Sequence, residues 1–399
     1  MSASLDRFLA EKLAAGGRSA WTRSPIVAQR ASPGRAVIDG RERLLLCTND
    51  YLGLAVDPRV VDAARQALDA FGAGSRAARS LAGDTELHQA LERELADFKG
   101  VEAALLFGSG FSCNSSVIAA LTRAGDVVVS DELNHASIVD GCRLSAAAAR
   151  VYRHGDLVSL EAALRQSGSA SKRMVVTDAV FSMDGDIAPL PGIVDLAERH
   201  DAFVMLDEAH ATGVLGPGGA GSLEHFGIEG GVAVLMGTLG KALGSVGGFI
   251  GGSRDLIDFL AANARSFLFT TSLPPAAAAA ALASLRILRA EPERVERLWR
   301  NARRLHAGLG ELGFRVAAEP AAILPIFTGE GEASGLSAAL YERDVVAQAV
   351  AAPYVPPGSE RVRLIASAAH SSDDVEAILS AFAELAPGGR RPLDGPTAD

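Results

Sequence analysis

The feature that most constrains the fold is a series of short apolar runs separated by helical patterns, which begins near residue 101. Each run is about as long as one buried strand. The runs occupy residues 103–107, 127–129, 174–177, 202–206, 232–236 and 248–251. Because apolar strands joined by helices are typical of a parallel sheet covered on both faces, the pattern predicts an α/β domain.

Polar residues follow several of these runs at the point where each run ends. The motifs are GSGF at 108–111, Asp178 with Ser182, DEAH at 207–210 and GTLGK at 237–241. In an open parallel sheet, chemistry collects at the carboxyl ends of the strands. The sequence therefore predicts that these motifs meet at one site.

Composition and charge argue against several other classes. The chain has 399 residues, of which 48% are apolar and 22% charged, as in ordinary folded proteins. Its formal net charge of −10 argues against a nucleic-acid partner, because a phosphate backbone attracts basic surfaces. No charge-free stretch reaches bilayer length, so no membrane partner is expected. The 3 scattered cysteines predict no metal site, and residues 1–15 lack the apolar block of a secretory signal, so a cytoplasmic location is expected.

The chain divides into four predicted segments. Residues 1–45 are expected to form an N-terminal arm that contains a helix at 5–15, and residues 46–290 the large α/β domain. Residues 291–387 predict a smaller C-terminal α/β domain, and residues 388–399, rich in Gly and Pro, predict a flexible tail. Two alanine-rich runs, at 146–149 and 276–281, favour helix.

Lys241 and Asp207 carry the most specific chemical signals. Lys241 lies in a glycine-dense turn, and a lysine amine can form a Schiff base with an aldehyde cofactor such as pyridoxal phosphate. Asp207 ends an apolar run, and a carboxylate there can pair with a protonated pyridine nitrogen. The structural alternatives are a solvated surface lysine and a helix N-cap.

Three further residues suit a phosphate. Gly110 and Phe111 precede a predicted helix, whose first backbone N–H groups can bind an anion. Thr238 offers a hydroxyl to the same anion. A tight turn and a turn hydroxyl are the structural alternatives.

Three more residues suit the cofactor ring. His135 can stack on a planar ring, His210 can hydrogen-bond a ring oxygen, and Ser182 is a candidate lining residue. Each of them alone is ambiguous, and a histidine such as His210 taken alone is more often structural.

Together these motifs resemble the α-oxoamine synthase family, which are fold type I pyridoxal-phosphate enzymes with a large, mainly parallel-sheet domain and a smaller C-terminal α/β domain. The resemblance extends over nearly the whole chain. It rests on segments 49–54 (NDYLGL), 72–83, 109–111, 134–137 (NHAS), 180–190, 207–210, 237–244, 270–275 (TTSLPP) and 354–363.

The resemblance implies a role for each residue that matches a family position. Lys241 corresponds to the Schiff-base lysine, Asp207 to the pyridinium partner and His135 to the ring-stacking residue. His210 matches the ring-oxygen donor and Thr238 a phosphate ligand. Cofactor-lining positions are matched by Gly110, Phe111 and Ser182, and substrate-binding positions by Arg23 and Arg363.

The family's reaction joins an amino acid to an acyl thioester with loss of carbon dioxide. Segment 181–190 and the absence of an N-terminal extension favour L-alanine and a pimeloyl thioester of coenzyme A or of acyl carrier protein. The family forms homodimers, and Thr270 or Thr271 matches a segment that reaches the neighbour's phosphate. Residues 351–356 hold no arginine, and residues 74–80 hold fewer glycines than the usual loop; both departures bear on substrate specificity.

Three alternatives stay open on the sequence. The first is a sister synthase that uses glycine or serine with another acyl thioester. The second is a non-catalytic partner subunit of the same fold, which would be expected to lack the lysine that is present at position 241. The third is a nicotinamide dehydrogenase, for which no GxGxxG motif follows the first strand.

Overall fold

A computed structural model of the protein describes residues 3–15 and 26–386. Arg23 and the predicted tail at 388–399 lie outside these residues. The strands are β1 (Ala28–Ser32), β2 (Arg35–Ile38), β3 (Arg41–Leu45), β4 (Ala103–Phe107), β5 (Val127–Asp131), β6 (Ala148–Tyr152), β7 (Arg173–Asp178), β8 (Ala202–Asp207), β9 (Val234–Thr238), β10 (Gly248–Gly252), β11 (Arg315–Val316), β12 (Ile323–Phe327), β13 (Val345–Val346), β14 (Gln348–Val350) and β15 (Arg361–Ile365). The helices are α1 (Ala3–Ala15), α2 (Pro58–Phe71), α3 (Glu86–Lys99), α4 (Gly110–Leu121), α5 (Ala136–Leu144), α6 (Leu157–Arg165), α7 (Leu190–Arg199), α8 (Ser222–Phe226), α9 (Arg254–Asn263), α10 (Arg265–Leu268), α11 (Pro275–Ala290), α12 (Glu293–Glu311), α13 (Glu332–Tyr341) and α14 (Ser372–Ala383).

These elements form two units. The larger unit comprises Asn49–Arg300 and Ser367–Ala369, and the smaller unit comprises the described parts of Met1–Thr48, Asn301–Ala366 and His370–Asp399. The smaller unit thus includes β1 to β3, from the segment expected to be an arm, because β3 pairs in parallel with β13. The predicted boundaries at 46–290 and 291–387 come from local sequence patterns. Such patterns contain no information about pairing between strands that lie near opposite ends of the chain.

The larger unit is built on a seven-stranded sheet in the order β4-β10-β9-β8-β7-β5-β6. Strand β10 is antiparallel to both of its neighbours, and the other pairs are parallel, which confirms the predicted mainly parallel sheet. Successive residues of a strand face opposite sides, and accordingly Val128 belongs to one apolar core while Val127 and Val129 belong to another. The sheet therefore has a core on each face.

One of the two alanine-rich runs does not form a helix. Run 276–281 lies in α11 as predicted, but α5 ends before run 146–149 and β6 begins at Ala148. Strand β6 pairs in parallel with β5 at the edge of the large sheet. The helix expectation at 146–149 is wrong because this strand pairing outweighs the weak helix preference of alanine.

The smaller unit contains two four-stranded sheets, in the orders β1-β2-β3-β13 and β11-β12-β15-β14. The second sheet is antiparallel throughout, and β15 is one of its two central strands. Arg361 and Arg363 lie two residues apart on β15, so they share one face of the sheet, and both are buried. Across the described residues of both units, no helix is long and apolar enough to cross a membrane.

Candidate active site

The start of α4 lies beside the end of β9. Ser109 caps α4, since its Oγ accepts the Ser112 N–H at 3.1 Å. A Cβ placed on Gly110 would lie 3.5 Å from the Thr238 Cβ, and a Cβ on Gly248 would lie 2.7 Å from the Gly110 nitrogen. The structure therefore brings the first turn of α4 and the Thr238 hydroxyl together, an arrangement that suits a phosphate.

Lys241 lies in a tight turn between β9 and β10. Its carbonyl oxygen accepts the Gly244 N–H at 2.8 Å, and Thr238 Oγ donates to Gly247 O at 3.0 Å. Gly244 has φ +57°, and a Cβ there would clash with the backbone of Ala55. The turn therefore needs glycine at 244, and it presents the half-buried Lys241 at the carboxyl end of β9.

A chain of hydrogen bonds joins Asp207 to His135. Asn114 Nδ2 donates to Asp207 Oδ2 at 2.6 Å and to Ser137 Oγ at 2.9 Å. Ser137 Oγ lies 2.7 Å from His135 Nδ1, which also accepts the Ser137 backbone N–H at 3.3 Å. Since Nδ1 accepts, the proton of a neutral His135 ring belongs on Nε2. Asp207 is 3% exposed, and its Oδ1 accepts the Ala209 N–H at 2.8 Å.

Charges around Asp207 influence one another. The His135 backbone N–H donates to Asp178 Oδ2 at 2.7 Å. Burial raises the pKa of Asp178 well above its usual range, and the charge of Asp207 adds to that rise, whereas the His135 N–H and Lys241 oppose it. His135 is exposed, yet desolvation by the surrounding protein lowers its pKa; Asp207 opposes this shift and Lys241 adds to it. Lys241, His135, Asp178 and Asp207 thus lie within electrostatic reach of each other.

His210 is buried and bonded to Tyr51. The Tyr51 hydroxyl lies 2.7 Å from His210 Nδ1, and the two rings meet edge to face with centroids 6.1 Å apart. Tyr51 belongs to the 49–54 motif and His210 to the 207–210 motif. The contact therefore joins two sequence motifs at one place.

The other large-unit residues predicted for the site lie in three different segments of the chain. Phe111 is 47% exposed, and its ring centroid lies 6.3 Å from that of His135. Ser182 is half-buried in the loop after β7, and Thr270 and Thr271 are exposed after α10.

Arg363, by contrast, belongs to the smaller unit. It lies in β15 opposite Pro325 of β12 and Gln348 of β14. Arg23 lies outside the described residues, so its predicted role has no structural counterpart.

Asp178 was among the strand-end groups expected at the site, whereas sequence reasoning missed three residues of this arrangement: Asn114, Ser137 and Tyr51. Two of them stand in motifs that it singled out, at 49–54 and 134–137, and hydrogen-bonding side chains there were the available signal. Asn114 gives no local signal, because it is one of several small polar residues in α4, with Ser112, Ser115 and Ser116 beside it. Its importance comes from the contact with Asp207.

The residues present fit a pyridoxal phosphate group. They provide backbone N–H groups and a hydroxyl for an anion, a buried carboxylate for a pyridinium nitrogen, a lysine amine for an aldehyde and two imidazoles. Among the described residues, no group of three or more His, Cys, Asp or Glu side chains could hold a metal ion.

Comparison with known proteins identifies the family. The model described as aminotransferase class I and II matches residues 41–382. The 8-amino-7-oxononanoate synthase of Symbiobacterium thermophilum is 50% identical over 353 residues, which cover 88% of this chain and 90% of that protein. A serine palmitoyltransferase from S. paucimobilis, solved with PLP bound to myriocin, has a TM-score of 0.88 at 34% identity and covers 96% of both chains. The 8-amino-7-oxononanoate synthase structure from Francisella tularensis has a TM-score of 0.74 at 27% identity, covering 86% of this chain and 97% of that one.

The chain therefore belongs to the aminotransferase class I and II family, and the predicted fold type I architecture is confirmed. Within that class its relatives are α-oxoamine synthases, which confirms the resemblance seen in the sequence.

Proposed function

We propose that this protein condenses L-alanine with a pimeloyl thioester to give 8-amino-7-oxononanoate, carbon dioxide and a free thiol. The observation that carries the proposal is the 50% identity to the Symbiobacterium synthase over 88% of the chain. Either coenzyme A or acyl carrier protein carries the acyl group. The grouping of Lys241, Asp207, His135 and His210 at the strand ends supports the same chemistry.

Pyridoxal phosphate, when bound, supplies an electron sink for the electron pair left on the amino-acid Cα. Lys241 provides the amine for the cofactor's aldehyde and, once free, the base that takes the α-proton. Asp207, held in place by Asn114, keeps a proton on the pyridine nitrogen. The N-terminus of α4 at Gly110 and the Thr238 hydroxyl bind the phosphate.

The remaining large-unit residues position the ring. His135 and Phe111 pack against it, and Ser182 lines it. The Tyr51 hydroxyl lies 2.7 Å from His210 Nδ1; as the donor in this hydrogen bond it would leave the proton of His210 on Nε2, from which that proton can be donated to the ring oxygen.

Two arginines are proposed to bind substrate carboxylates. Arg363 and Arg23 have guanidinium groups that can hold a carboxylate with two parallel hydrogen bonds.

We also propose that the protein is a homodimer. Thr270 or Thr271 of one subunit reaches the phosphate bound by the other subunit. Light scattering after gel filtration tests the dimer, and a monomeric mass in the active protein would contradict it.

A second candidate is a synthase that uses L-serine and a long acyl thioester. It is favoured by the TM-scores, which are 0.88 for the serine palmitoyltransferase and 0.74 for the Francisella synthase.

The two candidates are separated by a substrate matrix. The cofactor-loaded protein is incubated with L-alanine, glycine or L-serine and with the coenzyme A thioesters of pimelate or palmitate, and with pimeloyl acyl carrier protein. Thiol release and product mass are measured. We expect turnover with L-alanine and a pimeloyl thioester; turnover only with L-serine and the palmitoyl thioester would replace the first candidate with the second.

A further inference from the structure

A narrow loop follows β7, and it carries Ser182 at its tip. We call residues 180–187 the 180–187 loop. Its two sides are joined by a bridge between Val180 and Ile187 and by the Phe181 N–H, which donates to Asp186 O at 3.0 Å. Gly185, with φ +78°, makes the turn and donates its N–H to Phe181 O at 2.8 Å. Because the loop is bonded internally, a contact that fixes Asp186 also fixes the tip.

His154 lies between two carboxylates. Its Nδ1 is 3.0 Å from Asp131 Oδ1 at the end of β5, and its Nε2 is 2.8 Å from Asp186 Oδ2 in the 180–187 loop. A ring nitrogen bonded to a carboxylate must carry hydrogen, and only an imidazolium carries hydrogen on both nitrogens. The geometry therefore requires a charged His154.

The electrostatic surroundings agree with that charge. The carboxylates of Asp131 and Asp186 raise the pKa of His154 to about 10, although partial burial opposes them. Asp131 is 2% exposed and also accepts the Leu133 and Gly155 N–H groups. Glu132 also contacts this segment, since its Oε1 accepts the His154 backbone N–H at 2.9 Å.

We propose that His154 is a positioning residue: as an imidazolium it ties the 180–187 loop to the carboxyl end of β5 and thereby holds Ser182 where the cofactor binds. The inference deepens the proposed function and rests on it for the role of Ser182.

Packing alone does not account for this arrangement. The His154 ring meets Phe181 edge to face with centroids 4.3 Å apart, a contact that another aromatic ring would also make. A neutral ring would leave one of the two carboxylates facing a nitrogen lone pair. The contact with Asp186 therefore depends on the charge of the side chain at position 154 and not only on its shape.

The test removes charge at the exposed end of the ion pair, because Asp131 is buried and its loss endangers the fold. The Asp186 side chain is 44% exposed, so Asp186→Asn leaves His154 paired with Asp131. Asp186→Glu keeps the charge and serves as the rescue variant. The matched control is Asp195→Asn, which breaks an exposed ion pair with Arg199 on α7.

Hydrogen exchange of the full-length protein without cofactor is followed by mass spectrometry in peptides that span residues 180–187. We expect these peptides to exchange roughly three-fold faster in Asp186→Asn than in the wild type, a factor that corresponds to the free energy of one partly exposed ion pair. Strands β7 and β8 should keep their protection. Titration with pyridoxal phosphate should show weaker binding by a similar factor. Asp186→Glu and Asp195→Asn should match the wild type in both measurements.

Wild-type exchange and cofactor affinity in Asp186→Asn would overturn the proposal, and so would an equal effect of Asp195→Asn or Asp186→Glu. Neither measurement uses the condensation substrates. If the wild type condensed no amino acid with any thioester while Asp186→Asn still loosened the loop and weakened cofactor binding, the proposed function would fail and the positioning role of His154 would be supported.

Discussion

The larger and the smaller unit present their candidate site residues in different ways. In the larger unit, Asp207 and Thr238 stand at the carboxyl ends of β8 and β9, where parallel topology gathers polar groups. In the smaller unit, Arg363 lies inside β15 of an antiparallel sheet, where no such rule applies. Strand order alone therefore points to the first set of residues, whereas the role of Arg363 depends on family resemblance.

The surroundings of the charged groups differ as well. Asn114 links Asp207 to Ser137 through two hydrogen bonds, and other ionisable groups lie near Asp207. A substitution of Asp207 therefore also alters the hydrogen bonding and the electrostatic surroundings of those groups. Arg361, on the same strand as Arg363, stacks on Phe327 at 5.2 Å and donates from Nε to Ser359 O at 3.0 Å. A buried arginine of β15 can thus have a structural role. The following variants separate residues that act on the cofactor or substrate from residues that have a structural role.

The largest effect is expected for Lys241→Ala. Loss of the amine removes both the anchor for the cofactor aldehyde and the base for the α-proton, so kcat should fall roughly 10³-fold or more. Borohydride reduction followed by peptide mapping should label Lys241 in the wild type. Lys172→Ala, at an exposed lysine beside Asp126, is the control and should keep full activity. A variant at 241 that keeps wild-type turnover would contradict the assignment.

Asp207→Asn should reduce kcat by about 10²-fold, because a neutral amide cannot hold a proton on the pyridine nitrogen. Asn114 can still contact the amide oxygen, so the fold should persist, as circular dichroism can verify. The loss should appear in the rate of α-deprotonation, measured as exchange of the alanine α-hydrogen with solvent. Unchanged exchange would remove Asp207 from this role.

Arg363→Lys tests the smaller unit. Lysine keeps the charge but loses the planar pair of donors, so KM for L-alanine should rise about ten-fold with little change in cofactor affinity. Arg361→Lys is a matched control on the same strand and should change stability rather than KM. Equal KM values for the wild type and Arg363→Lys would make Arg363 a structural residue like Arg361.

Sequence reasoning succeeded where local pattern and topology agree. The continuous apolar runs predicted six of the seven strands of the large sheet, β4 with its bounds, and the glycine-dense turn singled out Lys241. Strand β6 was missed because alanine at 146–149 favours helix locally, while pairing with β5 depends on residues far along the chain. Asn114, His154 and the inclusion of β1 to β3 in the smaller unit were missed for the same reason, since each depends on a tertiary contact.

The smallest expected effect concerns two histidines whose pKa values shift in opposite directions, one in each unit. In the larger unit, Asp131 and Asp186 raise the pKa of His154 to about 10, above the ordinary value. Its contribution to stability is therefore complete below pH ~6.5 and is lost as the pH rises to about 10. In the smaller unit, burial lowers the pKa of His370, whose Nε2 lies 3.2 Å from Leu45 O.

A neutral, buried His370 makes the folded state bind fewer protons than the unfolded chain, so its contribution weakens as the pH falls below ~6.5. The free energy of unfolding of the cofactor-free protein, measured by urea denaturation across this pH range, should show the two opposite signs. His154→Gln should cost about 1 kcal/mol near pH ~6 and progressively less toward pH ~10, whereas His370→Gln should cost most above pH ~7 and less toward pH ~5. His225→Gln, at an exposed histidine of α8, is the control for the substitution itself. If the difference for His154→Gln did not shrink with rising pH, His154 would not be charged in the folded protein, and the contrast between the two histidines would disappear.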